Sequence, residues 1–130
     1  MSLLELDDYF SNGSIIIDSR RFVIATADVP IAGAFCTISD EKETTVIIAE
    51  ERIAGKSLLK QEGGWRVITL DIVFPMDVVG VTARVAGALA ENGVSVMPLA
   101  AYSRDHFLVK EVDLDKAVET FSALGVKERE

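Results

Sequence analysis

Cysteine and histidine are nearly absent from the 130-residue chain, which has one of each, Cys36 and His106. A single thiol excludes an intrachain disulfide and a cysteine-based zinc cluster. A single imidazole excludes any mechanism that needs two histidines from one chain. Because a serine nucleophile usually needs a base that a third group orients, the sequence predicts no catalytic residue and no enzyme activity.

Long apolar runs and an excess of basic residues are also missing. No run reaches the roughly 18–20 residues that a membrane span requires, and the acidic N-terminus lacks the basic start of a secretory signal. The formal net charge is −8 and the pI is about 4.6, whereas nucleic acids and anionic membranes bind basic surfaces. We therefore expect a cytoplasmic protein that binds neither nucleic acid nor a membrane.

Recognisable metal and cofactor motifs are lacking as well. The acidic clusters of the chain do not have the glycine-anchored spacing of a calcium loop. The sequence has no G-x-x-x-x-G-K-[ST] phosphate loop and no G-x-G-x-x-G that follows a strand. Solvated faces and helix caps account for the acidic clusters. The sequence thus predicts no metal site and no cofactor.

What the chain does have is enough apolar sequence for a core, at 49% hydrophobic residues. The first half predicts short strands, and the last two flank a polar turn that is typical of a hairpin. These strands are Ile15–Ile17, Arg21–Ala27, Ala34–Ser39 and Thr44–Ala49. Apolar residues at helical spacing predict a helix over Glu50–Lys60. The polar glycine turn Gln61–Gly64 predicts a boundary between an N-terminal unit, residues 1–62, and a C-terminal unit, residues 63–130.

The second half predicts the order β-α-β-β-α, followed by a short stub for a fourth strand. The predicted elements are a strand over Trp65–Phe74, a loop over Pro75–Gly80, a helix over Val81–Glu91, strands over Val94–Ala101 and His106–Val112, and a last helix that follows Asp113. Pro98 places its strand at a sheet edge or a bulge. Since about 65 residues are marginal for an independent core, we expect a first-half strand, Phe22–Ala27, to complete the sheet of the second half.

One segment, Phe74–Val96, combines a strand end, a glycine-bearing loop and a helix start. The amides of the first helical turn have no intrahelical partner and the helix dipole is positive there, so a small carboxylate can bind at that end. Gly80 leaves room for it beside the backbone. The alternative is that Gly80 only turns the chain.

The same segment resembles the ACT domain, a small ligand-binding module of amino-acid metabolism. A loop that ends in V-G-V is followed by A-R-V-A-G-A-L-A and E-N-G-V-S-V. The run from Leu99 to Val109 (LAAYSRDHFLV) is similar to the ACT repeats of aspartate kinases and of the cytosolic arginine sensors. The resemblance covers about residues 65–124, and residues 13–60 look like a divergent first ACT unit.

The resemblance implies an α+β fold with two tandem, ferredoxin-like βαββαβ units that share or exchange strands, and an amino acid bound at an interface between units. The loop and helix start would meet the ligand's carboxylate or amine, one strand would form a wall, and Asp105 aligns with an aspartate near the ligand. The implied ligand residues are Met76, Asp77, Val78, Val79, Gly80, Val81, Thr82, Met97, Leu99, Ala101 and Asp105. Asp105 could equally be a turn residue that opens a hairpin.

Two departures from the arginine sensors concern specificity. Ala100 and Ala101 replace a serine–threonine pair, and Arg104 replaces a small polar residue. The sequence therefore favours a non-catalytic regulatory or sensor protein that binds an amino acid and forms a homodimer, without predicting arginine as its ligand. The alternative function is a ligand-free structural or dimerisation module that docks a partner protein.

Overall fold

The structure, a computed structural model, describes residues 3–75 and 77–129, with backbone alone at residues 3 and 4. The chain divides into two compact units. The smaller unit is Ser19–Trp65, and the larger unit combines Met1–Asp18 with Arg66–Glu130. Residues 1–18, which the sequence grouped with an N-terminal unit of 1–62, therefore cluster with residues 66–130.

The smaller unit is built from antiparallel strands in the order β3-β4-β2-β5. Its strands are β2 (Phe22–Ala27), β3 (Cys36–Ser39), β4 (Thr44–Ala49) and the first part of β5 (Gln61–Asp71). The predicted hairpin is confirmed, because β3 pairs with β4 across the polar turn. Asp40 holds that turn, since its Oδ1 accepts hydrogen bonds from the amides of Lys42 and Glu43 at 2.8 and 2.9 Å.

Two predictions for this unit were wrong. Residues Glu50–Lys60 form only a short 3₁₀ turn, Glu50–Arg52, because Gly55 takes a left-handed φ of 78° and the amide of Leu59 bonds to Thr26 of β2 at 2.8 Å. The glycine pair within Gln61–Gly64 lies inside β5 rather than in a linker. It forms a β-bulge, where Gly64 has a φ of 79° and the register with β2 shifts.

The larger unit has a sheet in the order β6-β7-β5-β1-β8. Its elements are α1 (Leu3–Ser11), β1 (Ser14–Ile17), the second part of β5, α2 (Val81–Glu91), β6 (Val96–Ala100), β7 (Asp105–Lys110), α3 (Leu114–Ala123) and β8 (Lys127–Glu128), with a 3₁₀ turn at Glu111–Asp113. The predicted β-α-β-β-α order and fourth strand are confirmed. β6 pairs only with β7 among the described residues, as Pro98 indicated.

The N-terminal segment is built into this larger unit. β1 pairs antiparallel with β5 and parallel with β8, so Ser14–Ile17 is the strand that completes the sheet of the larger unit. The predicted strand, Phe22–Ala27, also pairs with β5, but along its first part, in the smaller unit. Helix α1 was not predicted. The core explains the placement, since Phe10 of α1 and Ile15 of β1 are both 0% exposed within it.

The hydrophobic core of the larger unit lies between its sheet and its three helices. It includes Ile68 and Leu70 of β5, Val85 and Leu89 of α2, Phe107 and Val109 of β7, and Ala117 and Phe121 of α3. In β5, the even-numbered residues Ile68 and Leu70 share the face that meets this core. β5 ends at Asp71 rather than Phe74, and the residues after it lead to the start of α2.

Candidate ligand-binding cleft

Helix α2 begins directly after Gly80, whose left-handed backbone conformation favours glycine over other residues. Gly80 is the N-cap, with a φ of 97° and no side-chain hydrogen bond to the helix. The first intrahelical bond runs from the amide of Arg84 to the carbonyl of Gly80, at 2.8 Å. The amides of Val81, Thr82 and Ala83 precede that bond and have no partner within the helix. They present donors and the positive end of the helix dipole at this point.

A cleft of about 300 Å³ opens at this helix end. Four segments of the larger unit form its wall: the loop after β5, the first turn of α2, the end of β6, and the turn into β7. The lining residues are Phe74, Pro75, Val78, Gly80, Val81, Thr82, Ala83, Ala100, Ala101, Tyr102, Ser103, Arg104 and Asp105. Its volume lies at the lower end of the range of small-molecule sites, so the cleft fits a ligand of metabolite size.

The cleft carries one acidic side chain at its wall. Asp105 is half-buried at the start of β7. Burial raises the pKa of its carboxyl above the usual 3.8, and the adjacent His106 opposes that shift. A carboxylate that burial disfavours gains from a cationic partner, so Asp105 is suited to hold an ammonium group.

Arg104 is the cationic residue of the wall. Its Nη1 bonds to Oδ1 of Asp71 at 3.1 Å, while Nη1 of Arg129 contacts Oδ2 of the same carboxylate at 2.6 Å. Asp71 thus has a separate arginine on each oxygen. The side chain of Asp71 is 18% exposed and that of Arg104 is 46% exposed, so Arg104 lies on the solvent side of this group.

Six of the predicted ligand residues lie together in this cleft: Val78, Gly80, Val81, Thr82, Ala101 and Asp105. Asp77 and Val79 are exposed in the same loop and do not line it. Met76 lies outside the described residues. Met97 and Leu99 pair with Leu108 and His106 across the β6–β7 ladder, which places them on the sheet face opposite Phe107 and the core.

Seven lining residues were not among the predicted ligand residues: Phe74, Pro75, Ala83, Ala100, Tyr102, Ser103 and Arg104. Strand alternation could have identified Ala100, because a wall made of one strand face contains either residues 97 and 99 or residues 98 and 100. Arg104 and Ser103 were visible as turn residues next to Asp105. The sequence did not show that this turn faces the start of α2.

His106 lies on β7 and contacts the neighbouring strand. Its Nδ1 lies 2.8 Å from Oγ1 of Thr69 on the neighbouring strand β5. Burial lowers the pKa of the imidazole, and the nearby charge of Arg104 acts in the same direction, while Asp105 opposes both. This histidine does not line the cleft.

Within residues 3–75 and 77–129, no group of three histidine, cysteine or acidic residues is arranged to hold a metal ion. Cys36 is a free thiol, half-buried in β3. In the same described part of the chain, no helix is long and apolar enough to cross a membrane.

Comparison with known families identifies the fold that carries the cleft. Residues 61–123 match the family model of the ACT domain, which confirms the resemblance seen in the sequence. This segment belongs to the ACT domain family, and it contains α2, the turn before β7 and every lining residue of the cleft. No curated protein matches the sequence.

Solved structures show the same fold over nearly the whole chain. A protein from Agobacterium tumefaciens superposes with a TM-score of 0.78 at 20% identity, over 90% of this chain and 92% of that one. A protein of unknown function from Vibrio cholerae gives 0.78 at 21% identity, over 93% and 96%. The ligand-free regulatory subunit of aspartate kinase from Thermus thermophilus gives 0.64 at 12% identity, over 88% and 97%. The predicted α+β, ferredoxin-like fold is therefore confirmed.

Gly80, the N-cap of α2, and Gly87, inside α2, give a matched test of this helix start. Gly80→Ala should lower the free energy of unfolding by about 1–2 kcal/mol, because a side chain is strained at its φ of 97°. Gly87→Ala should raise it by about 0.5–1 kcal/mol, since Gly87 is inside the helix and a Cβ there meets nothing within 4 Å. Urea unfolding measures both. Equal effects of the two changes would show that the N-cap does not have this geometry.

Proposed function

We propose that the protein is a non-catalytic regulatory protein whose ligand is a free amino acid, bound in the cleft at the start of α2. The observation that carries the proposal is the placement of Asp105 in the same cleft as Val81, Thr82 and Ala83, whose amides have no partner within the helix. An α-amino acid carries a carboxylate and an ammonium group on one carbon, and the cleft offers a donor set and an acidic side chain. The ACT domain match over residues 61–123 supports a ligand-binding, regulatory role.

In the proposed complex, the ligand's carboxylate accepts hydrogen bonds from the amides of the first helical turn. Asp105 accepts from the ammonium group, which relieves the cost of holding a half-buried charge. The apolar side chains of Val78 and Val81 pack against the ligand's carbon atoms. We assign the ligand to the residues that line the cleft, which leaves Met97 and Leu99 outside the proposed contacts.

We further propose that the protein acts as a homodimer. β6 is paired on one side only among the described residues, and a strand with a free edge can pair with another chain. A ligand that binds one arrangement of the dimer better than another shifts the population between them. Light scattering with and without ligand measures this state. A monomer in both conditions would contradict the proposed dimer.

A thermal shift panel of the common amino acids tests the ligand. We expect at least one amino acid to raise the melting temperature of the intact protein by an amount that grows with its concentration, as mass action requires. Asp105→Ala should remove that rise while the variant stays folded. A flat panel at millimolar concentrations would contradict amino-acid binding and favour a structural module that docks a partner protein.

A further inference from the structure

We propose that Arg104 makes the cleft selective for amino acids with a carboxylate in the side chain, an inference that rests on the proposed function. Asp105 and the α2 amides account for the two groups shared by all amino acids. Among the lining residues, Arg104 is the remaining charged group. It is therefore the residue that can distinguish one ligand side chain from another by charge.

The chemistry of the wall favours this assignment. Apart from Arg104 and Asp105, the lining consists of apolar residues and the hydroxyl-bearing Thr82, Tyr102 and Ser103. A guanidinium group binds a carboxylate through two parallel, charge-assisted hydrogen bonds. A neutral amide side chain lacks the negative charge that strengthens these bonds. A cationic ligand side chain would face a like charge, which acts against lysine and arginine.

The bonding of Asp71 leaves Arg104 available to a ligand. Arg104 and Arg129 each contact a different oxygen of Asp71. If Arg104 turned towards a ligand carboxylate, Asp71 would keep its contact with Arg129 and would not become an unpaired, largely buried charge. Because Arg104 is 46% exposed, its contact with Asp71 is worth little in water, and a second carboxylate can compete for it.

The binding test compares acidic amino acids with their amides, which have nearly the same shape. Calorimetric titration of the intact protein should show L-glutamate or L-aspartate binding about tenfold more tightly than L-glutamine or L-asparagine. Arg104→Gln should bring the acid and the amide to within about twofold of each other. Lys116→Gln on α3, which removes one exposed positive charge from a residue that does not line the cleft, should leave the preference unchanged.

Two variants of the neighbouring ion pairs distinguish a ligand contact from a structural role. Asp71→Asn releases Arg104 and should tighten L-glutamate binding by about two- to fivefold. Arg129→Gln leaves Arg104 as the remaining arginine on Asp71 and should weaken L-glutamate binding by a similar factor. If Arg104 served only to stabilise the fold, loss of its partner Asp71 would not improve the affinity.

The possible results separate this inference from the proposed function. Equal binding of acid and amide by the unchanged protein, or a preference that survives Arg104→Gln, overturns the role of Arg104 alone. Binding of a neutral or basic amino acid in place of L-glutamate and L-aspartate overturns it too, and leaves the proposed function standing. Failure of every amino acid to bind overturns both.

Discussion

Replacing Phe10 with alanine is expected to lower the free energy of unfolding by about 3–5 kcal/mol, the cost of truncating a fully buried phenylalanine. Phe10 is 0% exposed in the core of the larger unit. Its ring lies 6.3 Å from that of Phe74, and the guanidinium of Arg84 lies 5.7 Å from its centre. Helix α1 thus supports both the loop and the helix that form the cleft.

Urea unfolding, followed by circular dichroism, measures this effect. Phe121→Ala on α3 should be as destabilising, because Phe121 is also 0% exposed in the same core. Val112→Ala is the control, since Val112 is 86% exposed and surface changes usually stay within about 0.5 kcal/mol. A loss of less than about 1 kcal/mol for Phe10→Ala would show that α1 is not part of this core.

Asp105→Asn is expected to weaken amino-acid binding by about 10- to 100-fold, the effect of losing a hydrogen bond to a charged group. The same change should stabilise the free protein. Because burial raises the pKa of Asp105, the folded state holds its proton more tightly than the unfolded state. Stability is therefore lost as the pH rises from the ordinary value of 3.8 through the raised pKa.

The asparagine variant lacks this loss, so its melting temperature at pH 7 should exceed that of the parent. Below pH 3.8 both proteins carry a neutral group there and the difference should vanish. Asp28→Asn in the smaller unit, where Asp28 is exposed, should change neither binding nor this pH dependence. Lower stability of Asp105→Asn at pH 7 would contradict a burial cost at this site.

The elements that the sequence predicted well are those whose signals are local. Helix α2 was predicted with its observed bounds, since Val81, Val85 and Leu89 recur on one face and Gly93 follows the end. The hairpin of β3 and β4 was equally local. The apolar residues of the segment Glu50–Lys60 have the spacing of a helix. The segment nevertheless ends as a loop, because Lys60 bonds to Thr26 of β2, 34 positions away along the chain.

The role of the N-terminus could not be predicted from local signals. Placing β1 between β5 and β8 depends on pairing across more than 50 residues to β5 and more than 100 to β8. A pattern of strands gives no information on which partners they choose. Leu6 and Phe10 lie at helical spacing and could have indicated α1, but two residues are a weak periodic signal.

The candidate site likewise has parts that follow from local sequence and parts that depend on contacts between distant residues. The helix start and the glycine before it follow from sequence, since helix caps are local. Two predicted wall residues, Met97 and Leu99, lie on the other face of β6, because strand alternation gives two faces without saying which one meets α2. Arg104 was noticed only as a departure from a family pattern, and its pairing with Asp71 is a contact between residues 33 positions apart.

The most direct test of amino-acid binding in this cleft is a two-dimensional amide NMR titration of the intact protein. The spectrum is recorded with L-glutamate and, separately, with L-alanine at millimolar concentrations. We predict that at least one of them shifts the amide signals of Val81, Thr82, Ala83 and Asp105 most strongly, and in proportion to occupancy. Shifts confined to residues 19–65, or no shifts with either amino acid, would contradict the proposed site.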